Sequence, residues 1–385
     1  MPKIYYRKIA YNILAHLAWL LRIRFIRLTH PERIGHLALE PDCYVKDRRL
    51  DGRWEITVLL TDPDKIANAC LLELWRQHYV VVRSPRLVRF LRPLSQYPFL
   101  DRFLIAYAVA IDDTATCYAT YRRWGTRGPL LSLPKPRRRA GRAMLAEMGV
   151  PEDAWFVCVH SREGGYSPGD EHLHSYRNSD IHDYVPAMQA IIAAGGWCIR
   201  VGDPTMRPLS PPVPGVIDYA LSPQKSAEMD VFLAAECRFM LGNSSGLYIL
   251  SATFGKPCAL ANQAPLSGVY GVGVDDLAIP KWPRRDGVPL QLEPLMRSPV
   301  ANYRFTELYE KDHLELVNNT PEEILALTQE MLERLDGRAV YTADDEARQE
   351  KFRALFAKGH YSYGAASRIG RDFLRNLDDP LFRSA

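Results

Sequence analysis

The sequence lacks several features that would place it in a common structural class. Its seven cysteines form no C-x-x-C pair and no zinc-type spacing. Their odd number and their position in apolar runs predict buried free thiols in a reducing compartment. No run of about 18 apolar residues occurs, so no transmembrane helix is predicted. The net charge of +4 is too small to favour nucleic acid as a partner.

Acidic residues are absent from the first 31 positions. Basic residues are present there, interleaved with large apolar ones: Lys3, Arg7, Lys8, Arg22, Arg24 and Arg27. The run of large apolar residues at 9–21 predicts a helix. A helix that combines basic charge with large apolar side chains suits an anionic membrane surface. The alternative is an amphipathic helix packed on its own domain. A signal peptide is disfavoured because Asn12 and His16 interrupt the apolar run and no small-residue cleavage site follows. We therefore expect a cytoplasmic protein, peripheral on the inner face of the membrane.

Strand-like and helix-like runs alternate along the rest of the chain, whose 385 residues suit two domains of ordinary size. In the first half, strands are predicted at 33–39, 54–60 and 79–82, with a helix at 65–78. In the second half, strands are predicted at 154–160, 197–201, 216–219, 239–241 and 258–261, with helices at 181–194, 226–236 and 247–254. The Gly-, Pro- and Arg-rich segment 126–142 predicts a solvated linker, and a further helix is predicted at 344–356. This βαβ order predicts α/β domains with parallel sheets.

Four predicted strands of the second half end in polar or glycine residues. These ends are His160-Ser161-Arg162, Gly202-Asp203, Asn243-Ser244-Ser245-Gly246 and Asn262-Gln263. The carboxyl ends of parallel strands line the ligand crevice of an open sheet. The sequence therefore predicts a binding site at this edge.

The turn at 243–246 leads from a predicted strand into a predicted helix. Helix N-termini have unpaired N–H groups and a positive dipole end, which favours an anion such as a pyrophosphate. Gly246 would let a ligand approach the backbone closely. The alternative is that Asn243 or Ser244 only caps the helix.

Charged side chains near these strand ends could perform chemistry. Arg162, with Arg177 in support, suits a diphosphate because arginine grips phosphate oxygens bidentately, although a salt bridge to Glu163 or Asp170 is the alternative. Glu163 or Asp180 could act as a general base, and Asp180 could instead cap the helix beginning at residue 181. The histidines of this segment match no common zinc site, so no metal is predicted.

The motifs above, together with Tyr176-Arg177-Asn178-Ser179-Asp180-Ile181 and Phe254-Gly255-Lys256-Pro257, resemble a bacterial family of surface-polysaccharide glycosyltransferases. The resemblance implies a GT-B fold, in which two Rossmann-like domains face a cleft and the reaction needs no metal. The second domain would hold the donor nucleotide sugar and the first the acceptor. The His160-Ser161-Arg162 element is also similar to that of GDP-fucose-using fucosyltransferases, which implies that Arg162 supports the donor diphosphate.

The predicted domains are a basic amphipathic segment (1–30), an acceptor domain (31–133), a donor domain (134–335) and a helical tail (336–385) packing back on the N-terminal domain. Catalytic residues are predicted to be Glu163, Asp180 and Arg162. Donor-binding residues are predicted to be His160, Arg162, Arg177, Asn178, Gly202, Asp203, Asn243, Ser244, Ser245 and Gly246. Acceptor-side residues, at the end of the first predicted strand, are Gly35, His36 and Glu40.

The expected function is sugar transfer from a nucleoside-diphosphate sugar to a surface polysaccharide or its lipid-linked precursor. No cofactor is expected beyond this co-substrate. A polysaccharide pyruvyltransferase-like or sugar-epimerase-like enzyme on the same fold is an alternative, and a non-catalytic scaffold of a polysaccharide assembly complex is another. Nucleotide binding separates the enzymes from the scaffold, and acceptor-dependent nucleotide release separates the transferase from the other enzymes.

Overall fold

The structure is a computed structural model, which describes residues 2–28, 30–61, 65–97, 99–100, 111–165 and 168–377. Its α-helices are α1 (Pro2–Leu20), α2 (Ile34–Leu50), α3 (Ala69–Leu74), α4 (Pro85–Leu91), α5 (Ile111–Trp124), α6 (Lys135–Glu147), α7 (Pro168–His174), α8 (Val185–Ala193), α9 (Ala227–Glu236), α10 (Gly246–Thr253), α11 (Leu292–Met296), α12 (Thr306–Lys311), α13 (Pro321–Leu335), α14 (Ala343–Arg353) and α15 (Arg371–Asn376). Its strands are β1 (Ile23–Arg27), β2 (Ile56–Leu60), β3 (Val80–Val82), β4 (Phe156–Val159), β5 (Trp197–Arg200), β6 (Val216–Ile217), β7 (Met240–Gly242), β8 (Cys258–Gln263), β9 (Leu277–Pro280), β10 (Trp282–Arg285), β11 (Val288–Pro289), β12 (Glu315–Val317) and β13 (Arg368–Ile369).

Two parallel sheets organise the chain. The first has the order β1-β2-β3. The second has the order β13-β9-β8-β7-β4-β5-β6, with parallel pairing throughout. A small antiparallel sheet, β11-β10-β12, lies between β9 and α13 in the sequence. The predicted α/β class with parallel sheets is confirmed.

The second sheet has a topological switch point between β4 and β7. From β4 the chain builds outward through β5 and β6, and it then returns to add β7 on the other side of β4. Strands β4, β7 and β8 are buried along their whole length, which explains why they read as short continuous apolar runs. Ligands of open α/β sheets bind outside the carboxyl ends of the strands at such a point.

The first half departs from the sequence prediction. Residues 33–39, predicted as a strand, begin helix α2, and the first strand is instead β1, inside the basic N-terminal segment. The prediction was wrong because the helix is buried on every side from Leu37 to Asp47 and so shows no 3.6-residue periodicity. Pro41 lies inside α2, where proline is normally disfavoured. Its carbonyl accepts a hydrogen bond from the Tyr79 hydroxyl at 2.7 Å.

The predicted linker is also partly helical. Its basic run forms the first turns of α6, where Arg138 pairs with Glu236 of α9 at 2.9 Å. Gly141 permits this packing, since a Cβ there would lie 2.2 Å from the Phe232 ring. This run therefore begins a helix rather than a linker, while its Lys135, Arg138 and Arg139 side chains are exposed, as a solvated face predicts.

Helix α1 and the C-terminal tail can be compared with the predictions for the two ends of the chain. A helix was predicted at 9–21, and α1 confirms it. The tail adds β13 to the edge of the second sheet beside β9. It also reaches Arg122 of α5, whose guanidinium would lie 2.8 Å from a Cβ at Gly364. All seven cysteines are buried and none of them forms a disulfide, as predicted.

Candidate functional site

Asn243 ties together the segments that meet at the switch point. Its Oδ1 accepts a hydrogen bond from the Arg162 backbone N–H at 3.1 Å. Its Nδ2 donates to the Arg177 carbonyl and to the Ser179 Oγ, both at 3.0 Å. The side chain is fully buried, so each of these hydrogen bonds is costly to leave unmade. Asn243 therefore fixes the positions from which Arg162 and Arg177 extend.

Several cationic side chains gather around these backbone positions. The Arg162 guanidinium donates to Asn178 Oδ1 and to Glu171 Oε2, the latter at 3.3 Å. Burial lowers the pKa of Arg177, and its positive neighbours Arg162, Arg304 and Arg33 lower it further. Lysine and arginine charges this close together repel one another unless an anion binds between them. We name this set the cationic cluster: Arg33, Arg162, Arg177, Lys281 and Arg304.

Lys281 and His174 show how strongly the cationic cluster acts on its surroundings. Lys281 is 3% exposed and donates from Nζ to the Asn178 carbonyl at 2.5 Å. Burial, and then the charge of Arg162, lower the pKa of Lys281 to about 8. Burial, and then the charges of Arg177, Arg33 and Arg162, lower the pKa of His174 to about 4. His174 is therefore neutral at physiological pH.

The N-terminus of α10 opens at the same edge of the sheet. Ser245 is its N-cap residue but makes no side-chain capping bond. Within the described part of the chain, the buried Ser245 Oγ has no hydrogen-bond partner. Buried hydroxyl groups are normally satisfied, so this Oγ and the first N–H groups of α10 are available to an anion. Ser244, by contrast, is engaged with Gln263 at 3.1 Å and with the Ala264 N–H at 3.0 Å.

Gly246 has a role other than the predicted one. A Cβ at Gly246 would lie 2.8 Å from the Gly35 backbone nitrogen, and a Cβ at Gly35 would lie 2.9 Å from the Gly246 Cα. The absent side chain of Gly246 thus lets the first turns of α2 and α10 touch, and it does not open space for a ligand. This contact brings the predicted acceptor-side segment next to the predicted donor-side turn.

The acceptor-side residues Gly35, His36 and Glu40 lie in the first two turns of α2 rather than at the end of a strand. His36 Nδ1 lies 2.7 Å from Glu40 Oε1. Glu40 is fully buried, whereas the His36 side chain keeps 20% of its surface exposed. Burial raises the pKa of Glu40, and the hydrogen bond from His36 partly offsets this.

The two carboxylates predicted as general bases have structural partners. Glu163 Oε1 accepts from the fully buried Arg200 at 2.7 Å, and its Oε2 accepts from the Arg207 N–H at 3.1 Å. Asp180 caps the 3-10 turn Ile181–Tyr184 by accepting from the His182 N–H at 2.9 Å, as the capping alternative predicted. The catalytic assignment of both residues stays a prediction, and the occupied Glu163 oxygens give it no support.

The remaining donor-binding predictions fall at the same strand ends. His160 is buried and its Nδ1 lies 2.9 Å from the Val201 carbonyl; burial lowers its pKa to about 4, so the ring stays neutral. Asp203 closes a turn by accepting from the Thr205 N–H at 2.9 Å. Gly202 packs against Met206, whose sulfur would lie 2.1 Å from a Cβ. These three residues lie directly beyond the carboxyl ends of β4 and β5.

Sequence reasoning missed Arg33, Lys281 and Arg304. Arg33 was placed inside a predicted strand, although it directly precedes α2 and its charge lowers the pKa values of Arg177 and His174. Lys281 gave a usable signal, because it follows the apolar strand β9 just as Arg162 follows β4. Arg304 lies between short elements and carries no comparable pattern.

The described residues contain no group of three or more His, Cys, Asp or Glu side chains that could hold a metal ion. The sequence does contain one Asp-x-Asp triplet, Asp62-Pro63-Asp64, which lies outside the described residues. Metal independence therefore stays a prediction. No helix in the described ranges is long and apolar enough to cross a membrane.

Two parallel sheets, the second with a switch point between β4 and β7, define a GT-B-like α/β protein. The chain is similar to the solved glycosyl transferase family 9 structure from Veillonella parvula DSM 2008, with a TM-score of 0.53 and 9% sequence identity over 82% of this chain and 98% of that chain. A weaker likeness is to the E. coli heptosyltransferase WaaC with ADP, with a TM-score of 0.30 and 10% identity over 63% of this chain and 89% of that chain. Another is to the iron-containing dodecameric glycosyltransferase TibC from enterotoxigenic E. coli H10407, with a TM-score of 0.36 and 12% identity over 62% of this chain and 57% of that chain.

No protein-family model matches the sequence, and no curated protein matches it. At 9% identity, the likeness to the family 9 structure establishes the GT-B-like fold alone. The predicted similarity of His160-Ser161-Arg162 to fucosyltransferases is not among these likenesses, and it stays a prediction.

Proposed function

We propose that the protein transfers a sugar from a nucleoside-diphosphate sugar to a bacterial surface polysaccharide or its lipid-linked precursor. The observation that carries this proposal is the cationic cluster at the switch point, beside the N-terminus of α10, which no side chain caps. A diphosphate needs several positive groups in a partly buried site, and preorganised donors there stabilise its charge as it leaves.

Each part of the site has a role in this proposal. Arg162 and Arg177 bind the diphosphate, and Arg33, Lys281 and Arg304 add to the positive potential. Ser245 Oγ and the first N–H groups of α10 bind a phosphate or ribose oxygen. Glu171 lies against Arg162 at 3.3 Å, so an incoming phosphate competes with this carboxylate for the guanidinium. Asn243 positions the arginines without contacting the donor.

A membrane-facing surface accounts for the lipid-linked acceptor in this proposal. Along α1, the exposed apolar residues Ile9, Ile13, Leu17 and Leu20 form one stripe. Helix α4 lies beside it, since the Tyr11 hydroxyl donates to the Phe90 carbonyl at 3.0 Å. We name α1 and α4 together the basic-apolar surface.

Helix α4 extends both properties of α1. It has no buried residue, and it exposes the apolar Leu87 and Phe90, each directly after an exposed arginine, Arg86 and Arg89. Neither residues 1–31 nor residues 79–100 contain an acidic side chain. A surface that is both apolar and exclusively basic suits an anionic bilayer, so we propose that the protein is peripheral on the cytoplasmic face of the membrane.

Nucleotide binding tests the proposed reaction. The purified protein is titrated with GDP, UDP, ADP and CMP and with their sugars by thermal shift and calorimetry, and one nucleoside-diphosphate sugar is expected to bind. Release of the free nucleotide only when acceptor is present supports a transferase. Release without acceptor favours the epimerase-like enzyme, and binding to none of them favours the scaffold.

Arg162→Ala tests the role of the cationic cluster. We expect donor turnover to fall by about 10²-fold or more, because a charged donor to the leaving group is lost, while the melting temperature stays close to that of the wild type. Arg139→Ala, which removes an exposed arginine of α6, is the matched control and should retain activity. Near-normal turnover by the Arg162 variant would refute the assignment.

A further inference from the structure

The first turns of α2 carry polar residues on the face that meets the cationic cluster. Arg33, His36 and Glu40 lie three and four residues apart, which places them along one side of a helix. Arg33 is close enough to Arg177 and His174 to lower their pKa values. Gly35 touches Gly246 at the start of α10. His36 follows Gly35 directly, so it lies on the turn of α2 that packs against the N-terminus of α10.

His36 and Glu40 form an oriented histidine–carboxylate pair. A carboxylate only accepts hydrogen bonds, so His36 donates from Nδ1 to Glu40 Oε1 over 2.7 Å, which leaves Nε2 as the basic nitrogen. Glu40 is fully buried, and its Oε2 has no hydrogen-bond partner among the described residues. Its negative charge is therefore compensated through His36, and a proton gained at Nε2 is stabilised by a carboxylate in a medium of low dielectric.

We propose that His36 is the general base of the transfer reaction and that Glu40 is its positioning residue. This inference rests on the proposed function. The acceptor hydroxyl oxygen forms a bond to the anomeric carbon of the donor sugar while the bond from that carbon to the diphosphate oxygen breaks. The electron pair of the broken bond stays on the diphosphate, which the cationic cluster holds, and the hydroxyl proton passes to His36 Nε2. Such a single displacement inverts the configuration at the anomeric carbon.

The His36–Glu40 pair suits a general base better than Glu163 and Asp180, the two bases predicted from the sequence. Both Glu163 oxygens already accept hydrogen bonds, from Arg200 and Arg207. The Asp180 side chain is 62% exposed and caps a turn. His36, in contrast, combines a partly exposed ring with a buried orienting partner, on the element that the GT-B fold assigns to the acceptor side.

Steady-state kinetics of His36→Asn, with the donor found in the nucleotide screen, test the proposal. We expect kcat to fall by about 10²-fold or more, the size of a general-base contribution, while the donor dissociation constant changes by less than about twofold. Glu40→Gln should lower kcat by about tenfold or more at unchanged donor affinity, since it removes the charge and keeps the side-chain volume. The double variant should be no slower than His36→Asn alone, because Glu40 acts through His36.

A second histidine–carboxylate pair provides the matched control. His182 Nδ1 also lies 2.7 Å from a carboxylate, that of Asp180, but half of its side-chain surface is exposed. His182→Asn should leave kcat unchanged. The proposal is overturned if His36→Asn keeps wild-type kcat, if His182→Asn is as slow as His36→Asn, or if Glu40→Gln slows the His36→Asn variant further. Wild-type protein that binds no nucleotide would instead remove the proposed function itself.

Discussion

At the scale of single residues, Lys281 is a buried cation whose charge is lost close to neutral pH. Its pKa of about 8 results from burial and from the charge of Arg162. We predict that the affinity for the nucleoside diphosphate falls by about tenfold between pH 7 and pH 9, the value of one charged hydrogen bond. Calorimetric titration at pH 7, 8 and 9 measures this. Lys281→Met should bind weakly at every pH, with a flatter profile.

Unfolding does not account for the expected loss of affinity. The pKa of Lys281 in the folded protein is lower than its ordinary value of 10.5, so between pH 8 and 10.5 the unfolded chain binds more protons. The contribution of Lys281 to the free energy of unfolding therefore rises with pH in this window. If the affinity of the wild-type protein for the nucleoside diphosphate stays constant from pH 7 to pH 9, Lys281 does not contact the phosphate of this ligand.

Single residues at the site were predictable where a strand pattern exposed them. Arg162 and Asn243 were found because each follows an apolar strand, and the carboxyl ends of parallel strands meet at one edge. The different roles of Arg162 and Asn243 were not predictable, because only the contacts in the folded protein show that Asn243 holds the backbone of Arg162 and Arg177. Arg33 was missed because its helix was read as a strand.

At the scale of elements, the contact between α2 and α10 connects the two sides of the site. Gly246→Ala would place a Cβ 2.8 Å from the Gly35 nitrogen, a backbone atom that cannot rotate away. We predict that the free energy of unfolding falls by about 1–3 kcal/mol, the usual cost of overpacking, and that nucleotide affinity falls because the N-terminus of α10 shifts. Urea denaturation and nucleotide titration measure the two effects.

Gly128→Ala is the control for this substitution, since a Cβ at Gly128 meets nothing within 4 Å. Equal stability of the Gly246 and Gly128 variants would contradict the packing role of Gly246. Helix α2 also shows where periodicity fails as a guide to helices, because a helix that is buried all round carries no polar stripe.

At the scale of the whole molecule, five strands of the second sheet were predictable, whereas β9 and β13 of that sheet were missed and the first sheet was predictable only in part. Strands β4, β5, β7 and β8 are separated by helices that have recognisable caps, such as Ser226, which accepts from the Met229 N–H at 3.2 Å. The first sheet has three strands, and one of them, β1, lies in the segment that its basic charge had marked as a membrane anchor. The same segment therefore serves the core of the first sheet and the exposed surface of α1.

This double use changes how the membrane proposal is tested. Deleting residues 1–30 would remove β1, so weaker binding could reflect a damaged fold. We instead predict that Arg86→Glu/Arg89→Glu, which reverses two exposed charges of α4, lowers partitioning to phosphatidylserine-containing liposomes by at least about tenfold, since each basic residue contributes about 1 kcal/mol near an anionic surface. Co-sedimentation with these liposomes and with neutral phosphatidylcholine ones measures the effect.

The matched control reverses two charges elsewhere, with Arg285→Glu/Arg297→Glu, and so reproduces the change in net charge away from the basic-apolar surface. If both double variants sediment equally, net charge rather than this surface governs binding, and the proposal fails.

A third variant, Leu17→Asp/Leu20→Asp, separates the apolar contribution to liposome binding. These side chains are 50% and 70% exposed, so the fold should tolerate the change. Salt does not screen the insertion of apolar side chains into the membrane interface, so the Leu17/Leu20 variant should lose the liposome binding that remains at high ionic strength. The Arg86/Arg89 variant should instead lose the part of the binding that is sensitive to salt.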